Sequence, residues 1–136
     1  MYNTSIKAIL FDMDGVVIDS EKLYSKSEQK LFDKYGINFS DSDWDYIKGC
    51  TEKEFYNLVY SKYSPTISRE DLILEGRLYL KAIFSSKLEY MDGFNDIYPI
   101  LSKEYKLALV TSTGLDIVNH IDKILSIRKK FDFIIT

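Results

Sequence analysis

The rhythm of apolar and polar positions changes several times along this chain, and each change marks an element. Ile6-Lys7-Ala8-Ile9-Leu10-Phe11 is a largely apolar run of strand length and predicts a buried strand. Val16-Val17-Ile18 is a short apolar bridge. Leu23, Ser27, Leu31 and Tyr35 then recur every fourth position, with Phe32 beside them, which is one face of a helix. Asp19 or Ser20 is placed to cap its start, with Glu21 in the first turn, and Gly36 to end it. Ser40-Asp41-Ser42-Asp43 opens a shorter helix through Trp44 and Ile47, which Gly49 stops. Thr51-Glu52-Lys53-Glu54 is a capping box. It starts a helix with Phe55, Leu58, Val59 and Tyr63 on one face, and Pro65 lies beyond its end. Ser68 caps a longer helix through Leu72, Tyr79, Leu80, Ile83 and Phe84.

Beyond residue 85 the pattern reverts to alternating elements. Asp92-Gly93 is a turn before a short helix around Ile97, Ile100 and Leu101, where Pro99 fits near the first turn or at a kink. Lys106-Leu107-Ala108-Leu109-Val110 is a second strand run. It ends at Thr111-Ser112-Thr113-Gly114, and a helix follows with Ile117, Val118, Ile121, Ile124 and Leu125 on one face. Phe131 to Thr136 is a third strand run. Strands separated by helices predict an α/β fold with a parallel sheet. In such sheets ligands bind beyond the carboxyl ends of the strands, where Asp12, Asp14 and Thr111 stand.

Composition narrows the function classes. A net charge of −3 argues against nucleic acid and anionic membrane as partners. One cysteine, Cys50, excludes an internal disulfide and fits a reducing compartment. No apolar run reaches spanning length, and Met1 to Ser5 lacks the features of a secretory signal, so a cytoplasmic location is expected.

Asp12-Met13-Asp14-Gly15 closes the first strand. Residues two apart on a strand share a face, so the two carboxylates converge. Without a cation they repel, and one is forced to keep its proton. A hard divalent cation such as Mg²⁺ removes that conflict. Thr111-Ser112-Thr113 taken alone is a helix N-cap, and such a cap also binds phosphate. His120 is expected to face solvent or satisfy a local contact. Cys50 is expected to pack in a loop.

Asp12-Met13-Asp14-Gly15-Val16-Val17, followed by Asp19-Ser20-Glu21, resembles the first motif of the haloacid dehalogenase superfamily. Leu109-Val110-Thr111-Ser112-Thr113 resembles its second. Lys48-Gly49-Cys50-Thr51 is similar to the cap's substrate loop, and Met91-Asp92-Gly93-Phe94 to the return from cap to core. The resemblance covers essentially the whole chain and points to helical-cap phosphatases and phosphosugar mutases. It implies a Rossmann-like core at residues 1–17 and 86–136, with three recognisable strands, and an inserted helical-bundle cap at 18–85.

By that resemblance Asp12 is the nucleophile and Asp14 the general acid and base. Asp12 and Asp14 hold Mg²⁺. Thr111 and Ser112 hold the phosphate, and Lys48 and Gly49 face the substrate from the cap. The implied substrate is a small phosphorylated metabolite. An acid at position 14 favours phosphate esters over halides or phosphonates, and Tyr24 stands where the similar mutases carry a His.

Two further motifs of the superfamily, a lysine and an acidic group, find no match. Lys129 and Lys130 precede the third strand and do not fit. The chain therefore reads as the first part of a phosphatase, with weak or absent turnover expected. The alternative is a non-catalytic fragment or phosphate-binding module. The first strand is expected to be an exposed apolar edge, prone to self-association or covered by a partner.

Overall fold

The structure is a computed structural model and describes residues 5–136. Its strands are β1 (Ala8–Asp12), β2 (Lys106–Val110) and β3 (Phe133–Ile135). They form one parallel sheet in the order β1-β2-β3. Helices α1 (Glu21–Tyr35), α2 (Asp41–Ile47), α3 (Glu52–Lys62) and α4 (Arg69–Lys87) follow β1 without an intervening strand. Helix α5 (Phe94–Glu104) leads into β2, and α6 (Leu115–Leu125) into the 3-10 turn Ile127–Lys130 and β3.

Local signals account for most helix boundaries. Ser40 and Thr51 each close a reciprocal capping box, with Asp43 and Glu54 respectively. Ser68 Oγ accepts the Asp71 amide, and Gly36 ends α1 at φ 64°. Pro99 sits just past the first turn of α5, where both it and Asn95, to whose carbonyl it has no N–H to donate, are exposed.

Two apolar cores result. One joins Ile9, Phe11, Leu107, Leu109 and Ile134 of the sheet to Phe94 of α5 and to Ile117, Val118 and Ile121 of α6. Leu23, Leu80 and Phe84 at the base of α1 and α4 also enter it. The other lies within the helical block, among Leu31, Phe32, Phe55, Tyr56, Val59 and Leu72. Helices α1 and α4 run antiparallel, since Tyr24 meets Phe84 while Lys34 pairs with Glu75.

The chain enters and leaves the helical block through two short segments that hydrogen-bond to each other. The Asp19 amide donates to Glu89 O at 3.0 Å, and the Met91 amide to Val17 O at 2.9 Å. Val17 and Ile18 are fully buried there.

Because α5 and α6 cover the same face of the sheet, the opposite face is bare. Leu10, Ala108 and Phe133 lie in register across it, as do Val110 and Ile135. Leu10 is 65% exposed, Phe133 63% and Ile135 53%. Parallel sheets are ordinarily covered on both faces. Sequence reading anticipated an open β1 edge; the open face beside it is a further finding.

Candidate active site

The carboxyl ends of β1 and β2 lie side by side, with Asp12 opposite Val110. Asp12 thus stands next to the residue that leads into Thr111. Asp12 is exposed, and its Oδ1 accepts the Met13 amide at 2.8 Å. After it the backbone coils tightly: the Val17 and Ile18 amides both donate to Met13 O, and the Gly15 amide to Ile18 O. Gly15 has φ 74°, and a Cβ there would come within 2.9 Å of Glu21 Oε1. The turn therefore requires glycine for its left-handed backbone, the Glu21 carboxylate being the movable end of an exposed side chain.

Asp14 is held by two hydroxyls. Ser20 Oγ donates to Oδ1 at 2.6 Å, and Thr113 Oγ1 donates to Oδ2 at 2.9 Å. Burial pushes the Asp14 carboxyl above its usual range; the two hydroxyl bonds oppose that shift, and the charges of Asp12 and Glu21 add to it. The Tyr24 phenol lies beside Thr113 and Asp14, and burial raises it strongly. Ser20, Thr113 and Tyr24 were not assigned to the site from sequence. The usable signal was the position of Thr113 just beyond the second strand run, of Ser20 at the cap of the helix after the acidic turn, and of Tyr24 in that helix's first turn.

The Thr111 backbone is tied to β3 through its amide, which donates to Ile135 O at 2.9 Å. Its Oγ1 accepts the Thr113 amide at 3.0 Å, which leaves the hydroxyl proton free to donate elsewhere. Thr111 is buried, whereas Ser112 is exposed. None of these three hydroxyls caps α6, as the N-cap is Gly114, without a side-chain bond.

The structure brings Asp12, Asp14 and the Thr111–Thr113 segment together. Lys48 is exposed and donates to Asp45 Oδ1 at 2.7 Å, with its side chain 77% exposed. Gly49 is also exposed, with φ 81°. Among the described residues neither Lys48 nor Gly49 hydrogen-bonds to Asp12 or Asp14, and the Lys48 ammonium is paired with Asp45, three residues before it.

A cleft of about 380 Å³ separates the start of α3 from the start of α6, lined by Thr51, Glu52 and Arg77 on one side and Ser112, Gly114 and Asp116 on the other. Asp116 of α6, on the cleft wall, pairs with Lys81 of α4 at 2.7 Å. His120 Nε2 lies 2.9 Å from both Ser85 Oγ and Lys81 O, so it makes the local contact expected of it. Cys50 stays free, its thiol directed at Tyr46 O.

As hard oxygen donors, Asp12 and Asp14 suit a divalent cation. Among the described residues no group of three or more His, Cys, Asp or Glu is arranged to hold a metal. No described helix is long and apolar enough to cross a membrane.

Residues 9–136 match the family described as haloacid dehalogenase-like hydrolase. A phosphorylated carbohydrates phosphatase of Thermotoga maritima is 30% identical over 109 residues, covering 79% of this chain and 50% of that protein. A 6-phosphogluconate phosphatase of Escherichia coli is 27% identical over 89 residues, covering 65% of this chain and 40% of that protein. A solved structure from Thermotoga maritima, assigned as a beta-phosphoglucomutase, superposes with a TM-score of 0.74 at 28% identity. That match covers 96% of this chain and 61% of the other. The chain thus spans about half or less of the length of these two curated relatives.

Proposed function

The chain belongs to the haloacid dehalogenase-like hydrolase family, and on that premise we propose that it carries the phosphoryl-transfer half-site of a phosphatase for small phosphorylated metabolites. The observation that carries this reading is the pair of environments at the end of β1. Asp12 is exposed and free to attack, while Asp14 is half-buried, raised in pKa and gripped by Ser20 and Thr113. Two carboxylates pushed apart in this way divide into nucleophile and acid.

In this reading Asp12 attacks phosphorus in line and becomes an aspartyl-phosphate as the ester oxygen departs. Asp14 gives that oxygen its proton, then takes one from the water that hydrolyses the phospho-enzyme. The hydroxyl bonds from Ser20 and Thr113 fix its direction. The Thr111 hydroxyl and the Ser112 amide hold a phosphate oxygen. Asp12 and the backbone carbonyl of Asp14, with the Asp14 carboxylate close by, would hold Mg²⁺, which when bound neutralises charge on the transferring group. Residues 18–85 serve as a cap over a core formed by residues 1–17 and 86–136.

A second reading has its own support. Because the described residues offer the cation no third carboxylate, imidazole or thiolate, the 136-residue chain can act as a phosphate-binding module with weak turnover. One experiment separates them: phosphate release from sugar monophosphates with and without Mg²⁺, in the wild type and in Asp12→Asn. The enzyme reading expects Mg²⁺-dependent release that falls by on the order of a thousandfold or more in the variant, as for loss of a covalent nucleophile. Phosphate binding with no release in either protein supports the module. Release that persists in Asp12→Asn eliminates Asp12 as nucleophile.

A further inference from the structure

A second groove, of about 310 Å³, opens between the antiparallel helices α1 and α4, and none of its lining residues belongs to the site at the end of β1. Its rims are cationic, with Lys26 and Lys30 of α1 on one side and Lys87 of α4 on the other. Lys26 and Lys30 stand one helical turn apart and so share a face. None of the three has an ion-pair partner among the described residues, and no carboxylate lines the groove. The Lys30 ammonium lies 4.4 Å from the centroid of the Tyr79 ring, which leaves its charge available to an anion. The acids nearest on the two helices are occupied. Glu75 accepts the Lys34 ammonium and the hydroxyls of Tyr35 and Tyr79, and Asp33 accepts Gln29 Nε2 at 2.7 Å. On a chain of net charge −3 this is a local reversal of sign, and it selects for an acidic partner.

The floor is apolar, formed by Tyr79, Ala82 and Ile83. Leu74, Leu78 and Ala82 recur at four-residue intervals, so an apolar stripe leads out of the groove along α4. Leu74 is 58% exposed and Leu78 59%. From Leu74 to Lys87 the helix runs about 20 Å, the length of a partner helix of three to four turns. A small oxyanion is poorly served here. The Ser27 and Ser86 hydroxyls donate to Tyr24 O and Ile83 O, at 2.9 and 3.1 Å. Every wall residue lies inside a helix, beyond the first turn where amides are free. A phosphate would meet ammonium groups without any convergent N–H or O–H.

We infer that this groove docks an acidic amphipathic helix of a partner protein, its apolar side chains on Tyr79, Leu78, Ala82 and Ile83 and its carboxylates toward Lys26, Lys30 and Lys87. The inference is independent of the chemistry assigned to Asp12 and Asp14. Fluorescence anisotropy on the 136-residue chain tests it. The probe is a labelled synthetic peptide of about 16 residues, long enough to form a helix, with leucine at every third or fourth position and glutamate on both flanks. The same peptide with glutamine for glutamate, and tripolyphosphate, are the comparisons.

The acidic peptide should bind roughly tenfold tighter than the glutamine peptide, and Lys26→Glu with Lys30→Glu should abolish that difference. Leu78→Gln should weaken both peptides by roughly fivefold, since it removes apolar contact and leaves the charges in place. The substituted positions are all exposed, and circular dichroism checks that the helices persist. Acidic peptide bound equally well by wild type and the lysine double variant overturns the inference, because the peptide is then held elsewhere, as on the bare sheet face. Tripolyphosphate bound at least as tightly as the acidic peptide, and lost in the double variant, overturns it in favour of a small polyanion. No peptide binding, with a wild-type oligomer that dissociates in the double variant, overturns it in favour of a second copy of the chain.

Discussion

At the scale of single residues, the site depends on hydroxyls diverted from local work. Ser20 precedes α1 in the N-cap position, yet its hydroxyl bonds Asp14 rather than a helix amide. A cap of that kind contributes about 1 kcal/mol, and here the helix start forgoes it so that a half-buried carboxylate is held. Glu28 shows the opposite economy: no hydroxyl or cation reaches it, and burial alone raises it to about 7. The sign of its linkage to stability follows. Below its unfolded pKa Glu28 is protonated in both states. Between about 4.5 and 7 the folded state binds the extra proton, so stability falls as pH rises. Glu28→Gln should remove this slope, which is at most about 1.4 kcal/mol per pH unit. Urea unfolding of both proteins at pH 5, 6 and 7 checks it; parallel curves would mean that Glu28 is solvated. Asp12, Asp14 and Thr111 were legible in the sequence because apolar strand runs end at them. Tyr24 and Thr113 were not, because their role depends on a helix packing back across a strand nearly a hundred residues away.

At the scale of elements, the helices announced themselves through caps, and their detailed packing did not. Tyr56 is buried beside Phe55 and Val59, although periodicity favoured Leu58 and Tyr63, which are only partly buried. The reason lies on the neighbouring helix. Gly76 in α4 leaves room for the Tyr56 ring, and a Cβ there would come within 2.6 Å of the hydroxyl and 3.3 Å of Leu31 Cδ2. Gly76→Ala sets two effects against each other. Helix propensity favours alanine by about 1 kcal/mol, whereas overpacking a buried aromatic costs roughly 1–3 kcal/mol. Because Tyr56 belongs to the interior of the helical block, with Phe55 packed edge-on against it, the second effect should prevail. The expected net loss is about 1 kcal/mol, read from the denaturation midpoint, and Gly76→Ala with Tyr56→Phe should recover part of it. An increase in stability from Gly76→Ala alone would show that the ring has space to retreat.

At the scale of the whole molecule, the bare sheet face dominates solution behaviour. Leu10, Phe133 and Ile135 present an apolar strip beside the free backbone edge of β1, a combination that templates association. The 136-residue chain should self-associate at micromolar concentration. Leu10→Lys with Phe133→Lys should shift it toward monomer without changing its far-ultraviolet circular dichroism. Light scattering after size exclusion is the measurement; a wild type that is monomeric throughout would show that the strip is too small to drive contact. The two hydrogen-bonded linkers carry a consequence of another kind. The partners Ala8 and Lys106 are far apart in sequence, and closing so long a loop is entropically slow. The antiparallel pairing of α1 with α4, joined at its base by the bonds of Asp19 and Met91, brings both ends of the insertion to one place. Helices that assemble before the strands pair would thus shorten the loop that strand pairing has to close.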